Sequence, residues 1–110
     1  MTLKDIIDFT FQHGMGEFTP VVIFSGINEY WCGLPEQKTV QTDIGEEEIT
    51  LVLPVSDVNA YRNVQAIVKA AGGRLGATVR VDMVGSLRDI VGLARGATPD
   101  GAAKALVLQV

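Results

Sequence analysis

One cysteine, one histidine and one tryptophan stand among 110 residues. A lone Cys32 leaves no intramolecular disulfide, and with His13 it falls short of the ligand set of a zinc site. Reducing, cytoplasmic surroundings are therefore expected. Nucleophilic catalysis needs a cysteine or serine beside a base. Cys32 follows Trp31 in a strand-like stretch, where cysteine reads as a small core hydrophobe. His13 falls at the end of a helical pattern, where an imidazolium is favoured by the dipole. No apolar run reaches the ~18–20 residues of a membrane helix, and no basic region followed by a greasy one opens the chain. Neither a transmembrane span nor Sec secretion is expected. No catalytic residue, metal ligand or cofactor site is assigned.

What is present is globular. Apolar residues make up 47% and charged residues 20%, with a mean hydropathy of +0.26, a balance that suits one packed domain over 1–110. The net charge of −4 argues against a nucleic-acid partner, because neutralising phosphates takes a basic surface. The charge is unevenly placed. Met1 to Asp57 carries ten acids against two bases, and Val58 onward carries seven bases against three acids. If the two signs fall on different faces, copies dock acidic face to basic face, a heterologous contact that closes into rings or runs into filaments. If they intermix on folding, the split has no consequence.

Thr2 caps a first helix with Asp5 three residues on, and Leu3, Ile6, Ile7 and Phe11 form one stripe before Gly14 and Gly16 end it. Pro20 leads into a covered strand, Val21 to Phe24. Ser25-Gly26 is a bend or bulge before an extended stretch from Ile27 to Trp31, and Gly33-Leu34-Pro35 turns the chain. A hairpin over about 38–55 has an acidic tip at Asp43 to Glu48 and a central strand from Ile49 to Val55 ending at Pro54. Ser56 or Asp57 caps a long helix with Val58, Tyr61, Val64, Ile67, Val68 and Ala71 on one stripe, stopped by Gly72-Gly73. Strand 77–84 buries Ala77, Val79, Val81 and Met83. Ser86 starts a short helix carrying Leu87, Ile90, Val91 and Ala94, weakened by Gly92 and ended by Gly96. Thr98-Pro99-Asp100-Gly101 is a turn, and Ala105 to Val110 a buried last strand. The fold class expected is α+β, a two-layer sandwich of one mainly antiparallel sheet with helices packed on one face. No internal repeat, low-complexity segment or linker is read.

Glu46-Glu47-Glu48 lies on a polar tip, where nothing shelters a carboxylate for acid–base work. Gly72-Gly73-Arg74-Leu75-Gly76 follows a helix and precedes a strand, the reverse of a phosphate loop. Gly85-Ser86 with Arg88 does follow a strand and open a helix, so its amides suit an anion, although ordinary capping explains the same residues. In Glu29-Tyr30-Trp31-Cys32 adjacent aromatics point to opposite faces; Trp31 reads either as core or as an exposed anchor.

The order of these elements resembles a known family. A short N-terminal helix leads through Phe18-Thr19-Pro20 into Val21-Val22-Ile23-Phe24-Ser25-Gly26. An acidic hairpin follows, then Ile49-Thr50-Leu51-Val52-Leu53-Pro54-Val55 running into a helix, and Leu106-Val107-Leu108 at the end. This order is similar to the tail-terminator and tail-completion proteins of long-tailed phages, small α+β subunits that form hexameric rings capping the tail tube. The chain departs from them in strand 77–84 and in its short length. The resemblance implies a ring-forming structural subunit, cytoplasmic before assembly and then part of the virion.

The leading expectation is thus a non-enzymatic subunit whose partners are its own copies and neighbouring structural proteins, with no nucleic acid and no membrane. Its interface is assigned to Asp43, Glu46, Glu47 and Glu48 against Arg80 and Arg88 of the next copy, with Trp31 as anchor. The alternative is a small ligand-binding or regulatory domain of the ferredoxin-like kind, holding an anionic small molecule at Gly85, Ser86 and Arg88. A small cyclase- or isomerase-type enzyme using Asp, Tyr and Arg comes third.

Overall fold

A computed structural model describes residues 1–58 and 62–110. In chain order it contains α1 (Leu3–Gln12), β1 (Val21–Ser25), β2 (Asn28–Cys32), β3 (Glu36–Gln41), β4 (Glu47–Ser56), α2 (Val64–Ala70), β5 (Thr78–Met83), β6 (Ser86–Asp89), β7 (Gly92–Ala97) and β8 (Lys104–Gln109). The strands join one sheet in the order β6-β5-β4-β2-β1-β8-β7, with β3 also on β4. Pairs β1–β8 and β4–β5 are parallel and the rest antiparallel. The molecule is a mostly-β, mixed, curled half-barrel with two short helices, which corrects the expected α+β sandwich and its mainly antiparallel sheet.

Two segments expected as helix account for the difference. β4 continues to Ser56, because Pro54 sits where β2 and β3 break: Gly33-Leu34-Pro35 lies opposite only Leu53 and Pro54, and a bulge tolerates a proline. The helix starts only at Val64, capped by Asn63, whose Oδ1 accepts from the Ala66 amide. Val64, Ile67, Val68 and Ala71 keep their packing, while Tyr61 lies outside the described residues. The expected helix over 86–94 is instead two strands joined at Ile90 and Val91. Val84 and Gly85 form a two-residue turn at φ +54 and +91, so Ser86–Asp89 folds back on β5. Gly92 and Gly96, poor in a helix, fit β7 because side chains of β8 lie over them; a Cβ on Gly96 would come within 2.6 Å of Val107 Cγ2.

The chain passes from β6 to β7 through Ile90 and Val91 alone, yet these strands stand at opposite ends of a seven-strand path. In a flat sheet six spacings would part them by roughly 29 Å, whereas Asp89 and Gly92 are three Cα steps apart, at most about 11 Å. The sheet therefore curls until its edges meet here, and the Val91 amide donates to the Gln109 carbonyl. Val21, Ile23, Leu51, Leu53, Val79, Val81, Leu106 and Leu108 converge on the inside with Leu3 and Ile6 of α1 and Val64 and Ile67 of α2.

Contrary to the reading of the sequence, the fold is an internal repeat. Helix, hairpin, break and second hairpin occur twice, as α1-β1-β2-β3-β4 and α2-β5-β6-β7-β8. The backbone bonds repeat with them. Leu3 N donates to Ala77 O and Lys4 N to Leu75 O; in the other half Val64 N donates to Thr19 O and Gln65 N to Glu17 O. Val79 N to Met1 O matches Val21 N to Arg62 O, and Gly33 N to Pro54 O matches Val91 N to Gln109 O. The helix caps bridge to the opposite half, Thr2 to Thr78 and Asn63 to Pro20. Each half lends a strand to the other, since β1 pairs with β8 and β4 with β5. Strands β1, β4, β5 and β8 all run the same way, so the pseudo-two-fold axis that exchanges them lies along the strands.

Two predictions follow from comparing the halves. Val84 occupies the turn position that Gly26 holds in the first half, at φ +54 against +63, and a β-branched residue is strained there. Val84→Asn should stabilise the protein by about 1 kcal/mol, raising Tm by about 4–6 °C in a thermal melt. A Cβ on Gly33 would lie 3.0 Å from Pro54 Cγ and 3.2 Å from its carbonyl oxygen. Gly33→Val should cost about 2 kcal/mol in urea unfolding, whereas Val91→Gly, at the matching and exposed position, should change stability by well under that.

Candidate functional site

The residues assigned to an interface are dispersed, and the structure sorts them. Asp43, Glu46 and Glu47 are exposed at the β3–β4 tip, held by the Thr42 amide donating to the Glu46 carbonyl and the Glu46 amide to Thr42 Oγ1. Glu48 is half-buried and accepts from the Thr78 hydroxyl, so it serves the parallel β4–β5 pair instead of the tip. Arg80 is 28% exposed with Nε 3.1 Å from Asp89 Oδ1; the N–H is not aimed at that oxygen, so this is a charge contact, not a directed bond. Arg88 Nη1 donates to Ser25 Oγ at 3.3 Å, tying β6 to β1 across the curl. Trp31, 7% exposed, is core and not a surface anchor. The basic partner surface expected at Arg80 and Arg88 is thus used within the chain.

The anion site expected at Gly85, Ser86 and Arg88 loses its premise as well. No helix starts there, and the Gly85 amide donates to Asp82 Oδ1 at 2.7 Å, so a carboxylate already occupies it. His13 is a helix C-cap; its Nδ1 donates to Phe9 O at 2.9 Å and its ring stacks on Phe9.

The residues that sequence reasoning missed lie on β7 and β8. Gln37 stands opposite Leu51, and Arg95 opposite Leu106; Ile49 precedes Leu51 as Lys104 precedes Leu106. The two positions therefore correspond by the repeat. In the first half they border a pocket of about 320 Å³ with Leu51, Ala71, Arg74, Gly76 and Ala77, and Gln37 Nε2 donates to Ala70 O. In the second half they border a pocket of about 210 Å³ with Met15, Gly96 and Ala105. There both have become cations, and both are exposed. Among the described residues neither has an ion-pair partner. The signal in the sequence was the shared Leu-Val-Leu of Ile49–Val55 and Lys104–Val110, which aligns Ile49 with Lys104.

The tips diverge in the same sense. The Thr42–Gly45 turn matches Thr98–Gly101, each with its glycine amide donating to the threonine carbonyl. The first tip displays Asp43, Glu46 and Glu47. The second has only Asp100, whose carboxyl takes the Thr98 hydroxyl and the Ala102 amide and is held below its usual range by them, the hydroxyl first. The uneven charge of the sequence is therefore a difference between the two repeats.

β3, β6 and β7 each have one neighbour in the sheet. Thr42 is bonded to Glu46 across its ladder and Thr98 to Ala103 across the other. Antiparallel bonding alternates, so Gln37, Thr39 and Gln41 of β3 and Leu93, Arg95 and Ala97 of β7 turn their amides and carbonyls outward. At the other end of the strands, hairpin tips expose Ile27 (93%) and Val84 (92%). Among the described residues no group of three or more His, Cys, Asp or Glu is placed to hold a metal ion, and no helix is long and apolar enough to cross a membrane.

Comparison with protein-family models, with curated proteins and with solved structures finds no match to this chain.

Cys32 is buried beside the core, its thiol 3.4 Å from the Gly33 carbonyl. Burial pushes its pKa from 9.0 to about 12, against a smaller opposing pull from Arg62. Above pH 9 the unfolded chain therefore loses the thiol proton while the native one keeps it. Stability should fall as pH rises from 9 towards 12, by at most ~1.4 kcal/mol per unit from this group. A thiol-specific disulfide reagent at pH 8 should label Cys32 slowly in the native protein and rapidly in urea; equal rates would contradict its burial.

Proposed function

We propose that this chain is a non-enzymatic structural subunit that assembles with copies of itself. The tail or neck of a long-tailed phage, where small subunits close into rings, is the setting suggested by its order of elements. One observation carries the reading: among the described residues, β3 and β7 each leave a row of outward backbone groups with no partner strand. Exposed edges are normally blunted by proline, lysine, a bulge or a covering element. β7 is Gly-Leu-Ala-Arg-Gly-Ala, mostly small residues, with three outward backbone sites and neither proline nor lysine. β3 offers the same number of outward sites, is exposed along most of its length and carries one lysine, Lys38, whose amide turns inward to β4. A six-residue edge of this kind is a template for another strand. The anion-binding alternative has no such support, since the Gly85 amide and the Arg88 guanidinium are already engaged within the chain.

Native mass spectrometry and sedimentation at low ionic strength, at tens of micromolar protein, should show assemblies larger than a dimer. About 0.5 M salt, where the screening length is roughly 4 Å, should shift them towards monomer. A chain that remains monomeric at low salt would overturn the proposal.

A further inference from the structure

We infer that the pocket of about 320 Å³ in the first half binds a small amphipathic acid, with its apolar body on Ile49, Leu51, Ala71 and Ala77 and its carboxylate on Arg74. This goes beyond the self-assembly proposed above and does not depend on it.

The repeat accounts for the opening. The loops that follow the two helices have matching backbone bonds. Gly14 N donates to Phe11 O as Gly72 N does to Lys69 O, and Met15 N to Thr10 O as Gly73 N to Val68 O. Thr19 N donates to Gly16 O as Ala77 N does to Arg74 O. Met15 therefore corresponds to Gly73, and Gly16 to Arg74. Met15 is 8% exposed and borders the smaller pocket of the second half, so its side chain fills space there that Gly73 leaves empty here. α2 also has seven residues against ten in α1, which shortens the cover by about 4.5 Å. The consequence is visible on β4. Ile49 lies on the same face as Leu51 and Leu53, which are buried in the core, yet it is 51% exposed. An isoleucine left half in water on an inward face forgoes stabilisation that an apolar ligand restores.

The chemistry of the lining selects the ligand. A volume of about 320 Å³ has room for roughly ten waters, and hence for a ligand of about ten non-hydrogen atoms, at the small end of the range for ligand pockets. Apart from Gln37 and Arg74 the walls are aliphatic side chains and Gly76. Gln37 Nε2 is spent on Ala70 O, 2.8 Å away, which pins β3 to the end of α2. Arg74 is exposed, and among the described residues it has no ion-pair partner. One guanidinium beside an aliphatic wall offers a planar fork of donors that matches one carboxylate. A nucleotide or phosphate ester calls for more donors than the pocket holds, and a neutral ligand of the same size leaves the cation unused.

The test titrates octanoate into the isotope-labelled full-length protein, with octanol as the neutral counterpart and acetate as the charge alone. Octanoate should move the amide signals of Ile49, Leu51, Ala71 and Ala77 with a Kd of about 0.1 mM. Octanol and acetate should each bind about tenfold more weakly or worse. Arg74→Gln should cost octanoate about tenfold and leave octanol unchanged. Ile49→Glu, which sets a second carboxylate on the apolar wall, should abolish octanoate binding. Both substitutions are at exposed positions, and the amide spectrum confirms that each variant folds. Octanoate that leaves these amides unmoved at about 5 mM, binds no better than octanol, or binds Arg74→Gln as it binds the wild type overturns the inference. So do pocket signals that shift with protein concentration and not with acid, because a side chain of a second copy then fills the space. A monomeric wild type that binds octanoate here loses the assembly proposed above and keeps this site.

Discussion

The connection of two residues between β6 and β7 constrains everything else in the molecule. Ile90 and Val91 have to bridge the two outer strands of the path, so the sheet has no choice but to roll up. Ile90 is buried in the core and the Val91 amide is bonded to β8, so the bridge is also a seam. Rolling turns the alternate side chains of β1, β4, β5 and β8 towards one another. The helices then have only the open sides left to fill, and their short apolar stripes suffice. The first half makes the matching crossing at Gly33-Leu34-Pro35, where the chain leaves β2 to run along β4 as β3. Each crossing releases a strand that has a partner on one side only. These one-neighbour strands thus follow directly from the curl.

Much of this was legible and part of it was not. Unbroken apolar runs identified Val21–Phe24, Ile49–Val55 and the last strand, and alternation identified strand 77–84. The capping box of Thr2 and Asp5 located the start of α1 to the residue. The stretch 86–94 failed because Leu87, Ile90, Val91 and Ala94 satisfy a helical stripe by coincidence. Leu87 and Val91 in fact belong to exposed positions, and the decisive local feature, a turn at Val84-Gly85, has valine where asparagine or glycine normally signals it. Ser56-Asp57 imitates a helix cap for a similar reason, although the strand runs on to Ser56 and the true cap is Asn63.

The exposed acidic tip was legible, and which cations stay open was not. Exposed acids at a hairpin tip follow from local pattern alone, and Asp43, Glu46 and Glu47 are where the pattern puts them. Which cations are left open is a matter of tertiary placement. Arg80 and Arg88 have as much formal charge as Arg95 and Lys104, but the first two lie where Asp89 and Ser25 reach them. No spacing rule distinguishes an arginine so engaged from one left open. The repeat does distinguish them, because it sets Lys104 against Ile49 and Arg95 against Gln37, positions that have no charge to balance in the other half.

The repeat also explains why a charge difference matters more here than net charge. Two identical halves about an axis along the strands would present two identical edges, and identical edges have no preferred order of pairing: each could meet its own kind or the other. Making one half acidic and the other basic leaves the backbone geometry untouched and removes that degeneracy. Contacts between like halves then oppose like charges, while contacts between unlike halves gain attraction, and specificity is the difference between the two. If copies assemble as proposed, a chain with internal two-fold geometry would thereby acquire a direction along the line of its copies. That direction is what separates a subunit that propagates a ring or filament from one that stops at a closed dimer.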